Sequence, residues 1–297
     1  MAVLISAVLP IALVALVGFG VGRTFELDMQ TLSRVSIYGF LPALVLTSLA
    51  ETTLNLESAA AIVAALLINA ALLFGVAMAV SRGLKLPKNE QKSLIATTVF
   101  ANVGNMGLPF VLFALGEAGL ERAVVYLVGS SLLIATVFPI VLKGEGIRAG
   151  VKVTVRLPVF WAAMTGIALQ AANGAFPMPV ARGLTLLGEG AIPLALLTLG
   201  IQLSRTALVF GRYELLGAGL RLLLSPLLAY SVGSLLGLTG LDLQVVVLQA
   251  AMPVAVNSLI WVTEFGGDPV RVARTIVLST FLSFVSLPTV LWLIQGS

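Results

Sequence analysis

Five residues packed into eight positions carry the first sign of chemistry in this sequence: Asn102, Gly104, Asn105, Gly107 and Pro109, in the run NVGNMGLP. They lie in the middle of an otherwise apolar segment. Proline lacks a backbone N–H and collides with the turn before it, glycine loosens the backbone, and asparagine can bond to the groups set free. The cluster predicts an interrupted helix, and interrupted backbone in apolar surroundings survives only when buried in protein or lining a wet cavity. Its chemistry would be binding. Half-helix N-termini offer N–H groups and partial positive charge to an anion, and exposed carbonyl ends can hold a cation. Glycines alone would fit a close-packed helix face, but two Asn and a Pro in the same turn favour a site.

A second cluster, LQAAMPVAVNSLIWVTEF, places Pro253 and Asn257 one helical turn apart, with Ser258 next in the chain. Two broken helices in corresponding positions are the sequence pointer to a carrier's binding site. Asn102, Gly104, Asn105, Gly107, Asn257 and Ser258 form the expected substrate-binding set, with Pro109 and Pro253 maintaining the breaks. With no Lys or Arg expected near midplane, backbone dipoles and amides would neutralise the anion. Glu189, in GEGAIPLALL, is the one carboxylate placed clearly within a helix. Two readings of it stand side by side, an intramembrane acid suited to proton coupling and a solvated interfacial residue. Arg221 reads as an anchor that snorkels toward the interface.

Other chemistries fall away. The sequence has no Cys and no His, which removes disulfides, thiolate nucleophiles, imidazole-bound metals and a His-dependent serine protease. No dinucleotide or phosphate-loop motif is present. The net charge of +4 could point to nucleic acid, but the basic residues are scattered through loops. No enzyme, metal, cofactor or nucleic-acid partner is expected.

The elements that must hold these clusters follow from composition. Of 297 residues, 59% are apolar and 10% charged, against roughly 25% charged in soluble domains. Apolar segments of about 20 residues recur between short charged loops. The expected spans are 2–22, 35–50, 58–81, 93–116, 122–142, 157–174, 183–203, 214–237, 243–264 and 272–295. Residues 1–22 lack the basic start of a cleavable signal and are kept as the first span. Of the 17 Lys and Arg, 14 fall in one set of alternate loops and two, Arg122 and Arg182, in the other, with Arg221 near a span end. That bias puts both termini outside the cytoplasm.

An internal repeat is visible at an offset near half the chain. Pro10 pairs with Pro158, Pro42 with Pro193 and Pro139 with Pro288. ERAVVYLVGSSLLIATVFPIVL aligns without gaps on VRVARTIVLSTFLSFVSLPTVL. Because each half holds an odd number of spans, the second enters from the opposite side. The expected fold is an all-α polytopic membrane protein of ten transmembrane helices, built as two inverted five-helix repeats, residues 1–148 and 149–297.

NVGNMGLP, QAAMP with the following NSLIWVTEFGGDP, and the terminal LSFVSLP resemble the auxin efflux carrier family, which includes plant auxin carriers and bacterial permeases for malonate and malate. The resemblance covers essentially the whole chain. It implies a fold similar to bile-acid symporters and sodium/proton antiporters, with helices four and nine crossing at their breaks. It also implies a scaffold of helices 1, 2, 6 and 7 (about 2–50 and 157–203), often dimeric. A mobile transport domain would take helices 3–5 and 8–10 (about 58–142 and 214–295). By position, Asn102 matches the family's substrate-contacting Asn and Pro109 its first crossover proline. Plant members carry a second crossover proline where this chain has Ser258, and they carry a long cytoplasmic loop that this chain lacks.

The leading expectation is an elevator-type carrier of small organic anions in a bacterial inner membrane, a homodimer with proton or sodium coupling open. The alternatives are a sodium-coupled symporter of bile-acid-like or keto-acid substrates, for which only Glu264 lies near the second break, and a membrane sensor or assembly partner that transports nothing.

Overall fold

Backbone surrounded by apolar side chains must satisfy its own polar groups, and helix does so within one segment. The computed structural model describes residues 2–143 and 147–295, and every regular element among them is helical. Residues 144–146, a little before the expected join of the halves at 148/149, and the terminal residues 1, 296 and 297 lie outside the described residues. In chain order the helices are α1 (Ala2–Thr24), α2 (Met29–Val35), α3 (Leu41–Ala50), α4 (Leu56–Gly83), α5 (Lys88–Val99), α6 (Leu108–Lys143), α7 (Ile147–Thr154) and α8 (Pro158–Ala171). They continue with α9 (Met178–Glu189), α10 (Ala191–Arg205), α11 (Arg212–Gly219), α12 (Ser225–Leu235), α13 (Gly240–Ala251), α14 (Ser258–Phe265) and α15 (Pro269–Gln295). Five continuous stretches among the described residues are long and apolar enough to cross a membrane: Met29–Ala50, Leu56–Gly83, Met178–Arg205, Arg212–Leu235 and Pro269–Gln295. Helix α7 occupies part of a segment expected as loop.

Prolines decide where these helices deform. Three turns are widened to π geometry, Ser36–Phe40, Val103–Gly107 and Leu220–Leu224, and in each case the second residue of the next helix is a proline: Pro42, Pro109 or Pro226. A proline ring collides with the carbonyl four residues back and offers it no N–H, so the chain opens by one residue and bonds across five. The N–H of Leu41 accordingly donates to Ser36 O, and that of Ser225 to Leu220 O. Glycine supplies a different break at Gly116, whose φ of 72° and ψ of −169° divide α6 into two arms. That conformation is open to glycine and strained for other residues.

The helices gather into two compact units. Of the described residues, one comprises 2–8, 57–103 and 206–295, the other 9–56, 104–143 and 147–205. Within the second, α1 and α10 approach closely through small residues. A Cβ on Gly18 would lie 2.2 Å from Leu197 O, and one on Gly200 would lie 1.9 Å from Ala15 O. Gly18 and Gly22 stand four apart on α1, facing Gly200 and Ser204 four apart on α10, the small-xxx-small spacing that lets helix backbones touch. Because the obstructing atoms are backbone, no rotamer change makes room. Gly200→Ala is expected to destabilise the protein by about 1–3 kcal/mol. Gly20→Ala, whose Cβ meets open space, is the control expected to cost nothing. Denaturant titration of the two variants in detergent compares them.

Candidate functional site

The first compact unit contains two helices of equal length that stop short. Helix α5 ends at Val99 and α13 at Ala251, each after 12 residues. At α13 the cause is local: Pro253 pushes the residue before it to extended geometry, and Met252 has φ −61° and ψ 146°. At α5 no proline is near. Phe100 turns to φ −99° and ψ 111°, and its partner in the fold holds it there. Ala101 and Val254 form an isolated antiparallel bridge. Asn102 N–H donates to Pro253 O at 2.8 Å and Ala255 N–H donates to Phe100 O at 2.9 Å. Phe100, Ala101, Asn102, Met252, Val254 and Ala255 are all buried. The bridge thus satisfies buried backbone groups that the broken helices leave open. From α15, Ser279 supports it by accepting the Val254 N–H at 3.1 Å.

Because the bridge is antiparallel, α5 and α13 reach it from opposite directions, C-terminus toward C-terminus. Their last carbonyls converge on one side chain, Arg221, which lies in the widened turn before Pro226. Its guanidinium donates to Thr98 O at 2.8 Å and to Val99 O at 3.1 Å on α5. It also donates to Ala250 O on α13 and to Ser225 Oγ. Ser225 Oγ in turn donates to Ala250 O at 2.8 Å, and Asn69 Nδ2 donates to Ser225 Oγ at 3.3 Å. Arg221 is 1% exposed. The expectation of a snorkelling anchor is overturned, and so is that of a site without a cation. A guanidinium bonded to two helix ends has no reason to reach for the interface.

A second expectation also changes. The first N–H groups of α14 are not free: Ser258, Leu259 and Ile260 donate to Ala255 O, Val256 O and Asn257 O at 3.1, 3.2 and 3.1 Å. At the start of α14, therefore, recognition of a ligand falls to side chains and to the field of the helix end. Several buried polar atoms near the breaks have no hydrogen-bond partner among the described residues: Asn102 Nδ2, both polar atoms of the Gln249 side chain, Ser258 Oγ and Thr98 Oγ1. Each such atom costs about 1–3 kcal/mol until something bonds to it.

The expected site residues therefore divide. Asn102 and Pro253 meet directly in the crossover, and Ser258 is buried at the start of α14. Asn257, one residue earlier, is exposed. Gly104, Asn105 and Gly107 lie in the widened turn that follows Asn102, with Gly104 and Asn105 partly exposed and Gly107 buried. Pro109 stands at the second position of α6, so the break in the chain comes before it, at residues 100–102. Glu189 is the exposed last residue of α9. It lines a cavity of about 590 Å³ in the second unit together with Glu51, Glu117 and Glu121. Gln249 and Arg221 were missed as site residues. Gln249 lies in the QAAMP run, and its signal was an uncharged amide four residues before a break.

Apolar helices interrupted at a buried polar crossover define an integral membrane protein of the class that includes carriers. The profile of a family described as "Membrane transport protein" matches residues 3–152 and 149–292. The chain belongs to this family, the auxin efflux carrier family of the resemblance above. It is similar to an "Uncharacterized transporter" of Methanothermobacter thermautotrophicus, 31% identical over an alignment of 301 positions that takes in 97% of this chain and 96% of the relative. A second "Uncharacterized transporter" from Methanocaldococcus jannaschii is 27% identical over 71% of this chain and 70% of its own length. A protein of Rhizobium meliloti named "Putative malonate transporter" is 26% identical over 66% of this chain and 65% of its own length. The protein is a multi-pass membrane protein, and both family and relatives point to transport and away from catalysis.

Proposed function

We propose that the protein is a secondary active or potential-driven transporter of small organic anions, carboxylates in the range of auxin-like monocarboxylates, malonate and malate. The supporting observation is the buried crossover, where amide and hydroxyl groups without partners lie near the breaks of two helices whose ends a guanidinium ties together. Asn102 and Gln249 would hold the carboxylate, and Ser258 would stand beside it. Asn105 and Asn257 remain sequence-derived candidates. The name of the Rhizobium meliloti relative favours malonate as the first compound to try.

The movement we propose is elevator-type alternating access, in ten spans arranged as two inverted repeats. The antiparallel meeting of α5 and α13 supports the inversion, because two copies of one motif that meet tail to tail must run in opposite directions. The scaffold would take residues 2–50 and 157–203 and the mobile part 58–142 and 214–295. Both termini would lie outside the inner membrane, and the carrier would be a homodimer.

Thermal unfolding of the purified protein with a panel of mono- and dicarboxylates tests the reading. A true substrate at a hundredfold its Kd is expected to stabilise the fold by about 2.7 kcal/mol. The same compound should then cross proteoliposome membranes. If no carboxylate stabilises the protein and none is carried under any imposed gradient, the reading fails and a partner or sensor role takes its place.

A further inference from the structure

Arg221 puts a positive charge between the carbonyl ends of α5 and α13. Each helix C-terminus carries about half a negative charge, so the facing ends of α5 and α13 amount to about one. One guanidinium balances them. Its planar fork of donors suits several oxygens at once, and here it takes Thr98 O and Val99 O from one helix, Ala250 O from the other and Ser225 Oγ between. Those carbonyls are the oxygens that a hard cation at this junction would need as ligands. Among the described residues no group of three or more acidic side chains could hold a metal instead.

We propose that Arg221 is a built-in counter-cation of the crossover, filling the place between the two helix ends that an exchangeable metal ion would fill, so that the site works without bound sodium. The part that concerns substrate rests on the function proposed above, while the part that concerns the helix ends stands alone. Arg221 ties the two helix ends together, and the side-chain amides of Asn102 and Gln249, buried without partners, are left for the ligand.

Thermal unfolding of the full-length protein in detergent tests both parts, with sodium chloride exchanged for N-methylglucamine chloride at constant ionic strength. The wild-type midpoint should not change with the exchange, and stabilisation by sodium would overturn the proposal. Arg221→Ala should unfold at a markedly lower temperature and recover a large part of the loss with methylguanidinium, which should leave wild type unmoved. A destabilised Arg221→Ala indifferent to methylguanidinium would reduce Arg221 to packing and overturn the proposal. If that variant cannot be purified folded, the wild-type sodium exchange decides alone, and Arg221→Lys, which keeps the charge but not the fork, provides the second variant. Carboxylate affinity of the wild type should be equal with and without sodium, and a sodium requirement would overturn the proposal. If no carboxylate binds under either condition, the transport reading fails while the midpoints still decide the role of Arg221.

Discussion

Arg271→Ala is expected to lower the stability of the folded protein by about 3–5 kcal/mol, among the largest losses available to a single substitution in this chain. Glu214, on α11, has no exposed surface, and its Oε1 lies 3.2 Å from Arg271 Nη1 on α15. The same guanidinium reaches Glu90 of α5 at 3.6 Å and lies 5.0 Å above the ring of Tyr213, whose hydroxyl donates to Glu90 O at 2.8 Å. Three helices of the first unit are therefore tied by one cation. Removing it leaves a carboxylate buried and uncompensated, which costs far more than the pair contributes, because the desolvation of Glu214 is no longer offset. The double substitution Glu214→Leu with Arg271→Met should restore most of the loss, since an apolar pair of similar volume has no charge to desolvate. Denaturant unfolding of the single and double variants measures both. A single-variant loss under about 1 kcal/mol, the range of an exposed ion pair, would show that water reaches Glu214.

Asn102→Ala is expected to separate binding from folding. The bond that holds the crossover uses the backbone N–H of Asn102, which alanine keeps. The side-chain Nδ2 is buried without a partner, so its removal relieves a cost in the unliganded protein. Stability should be unchanged or slightly higher. Substrate affinity should fall by roughly ten- to a hundredfold, the effect of losing one hydrogen bond to a charged group, about 1.5–3 kcal/mol. Calorimetric titration with the best carboxylate reads the affinity and the unfolding midpoint reads the fold. Unchanged affinity would remove Asn102 from the site, and a collapse in stability would make it a structural residue.

The sequence showed the two breaks because their causes are local. Pro253 and the Asn-Gly cluster announce themselves by residue type, and the non-helical segment 252–257 falls where the proline predicts. The first break was placed too late. Pro109 deforms the chain by opening a turn at 103–107, while the extended residues 100–102 are held by pairing with 253–255, a partner about 150 positions away that no local pattern reveals. The role of Arg221 was hidden for a related reason. It lies in a widened turn, which inserts one residue and rotates everything after it by about 100°, so a regular helical wheel drawn through 212–235 misassigns its faces. Solvation at Glu189 and Asn257 depends on how a helix end or a break is covered, a tertiary matter that the flanking residues leave open.

A metal ion can dissociate on either side of a membrane, but a side chain stays with its chain. If the crossover travels, Arg221 travels with it. The helix ends it faces move together with their own oppositely charged ends and add no net charge. One elementary charge moved through 100 mV therefore exchanges about 2.3 kcal/mol with the electric field. A singly charged passenger cancels that charge. The voltage would then drive the empty return stroke and leave the loaded stroke nearly indifferent to it.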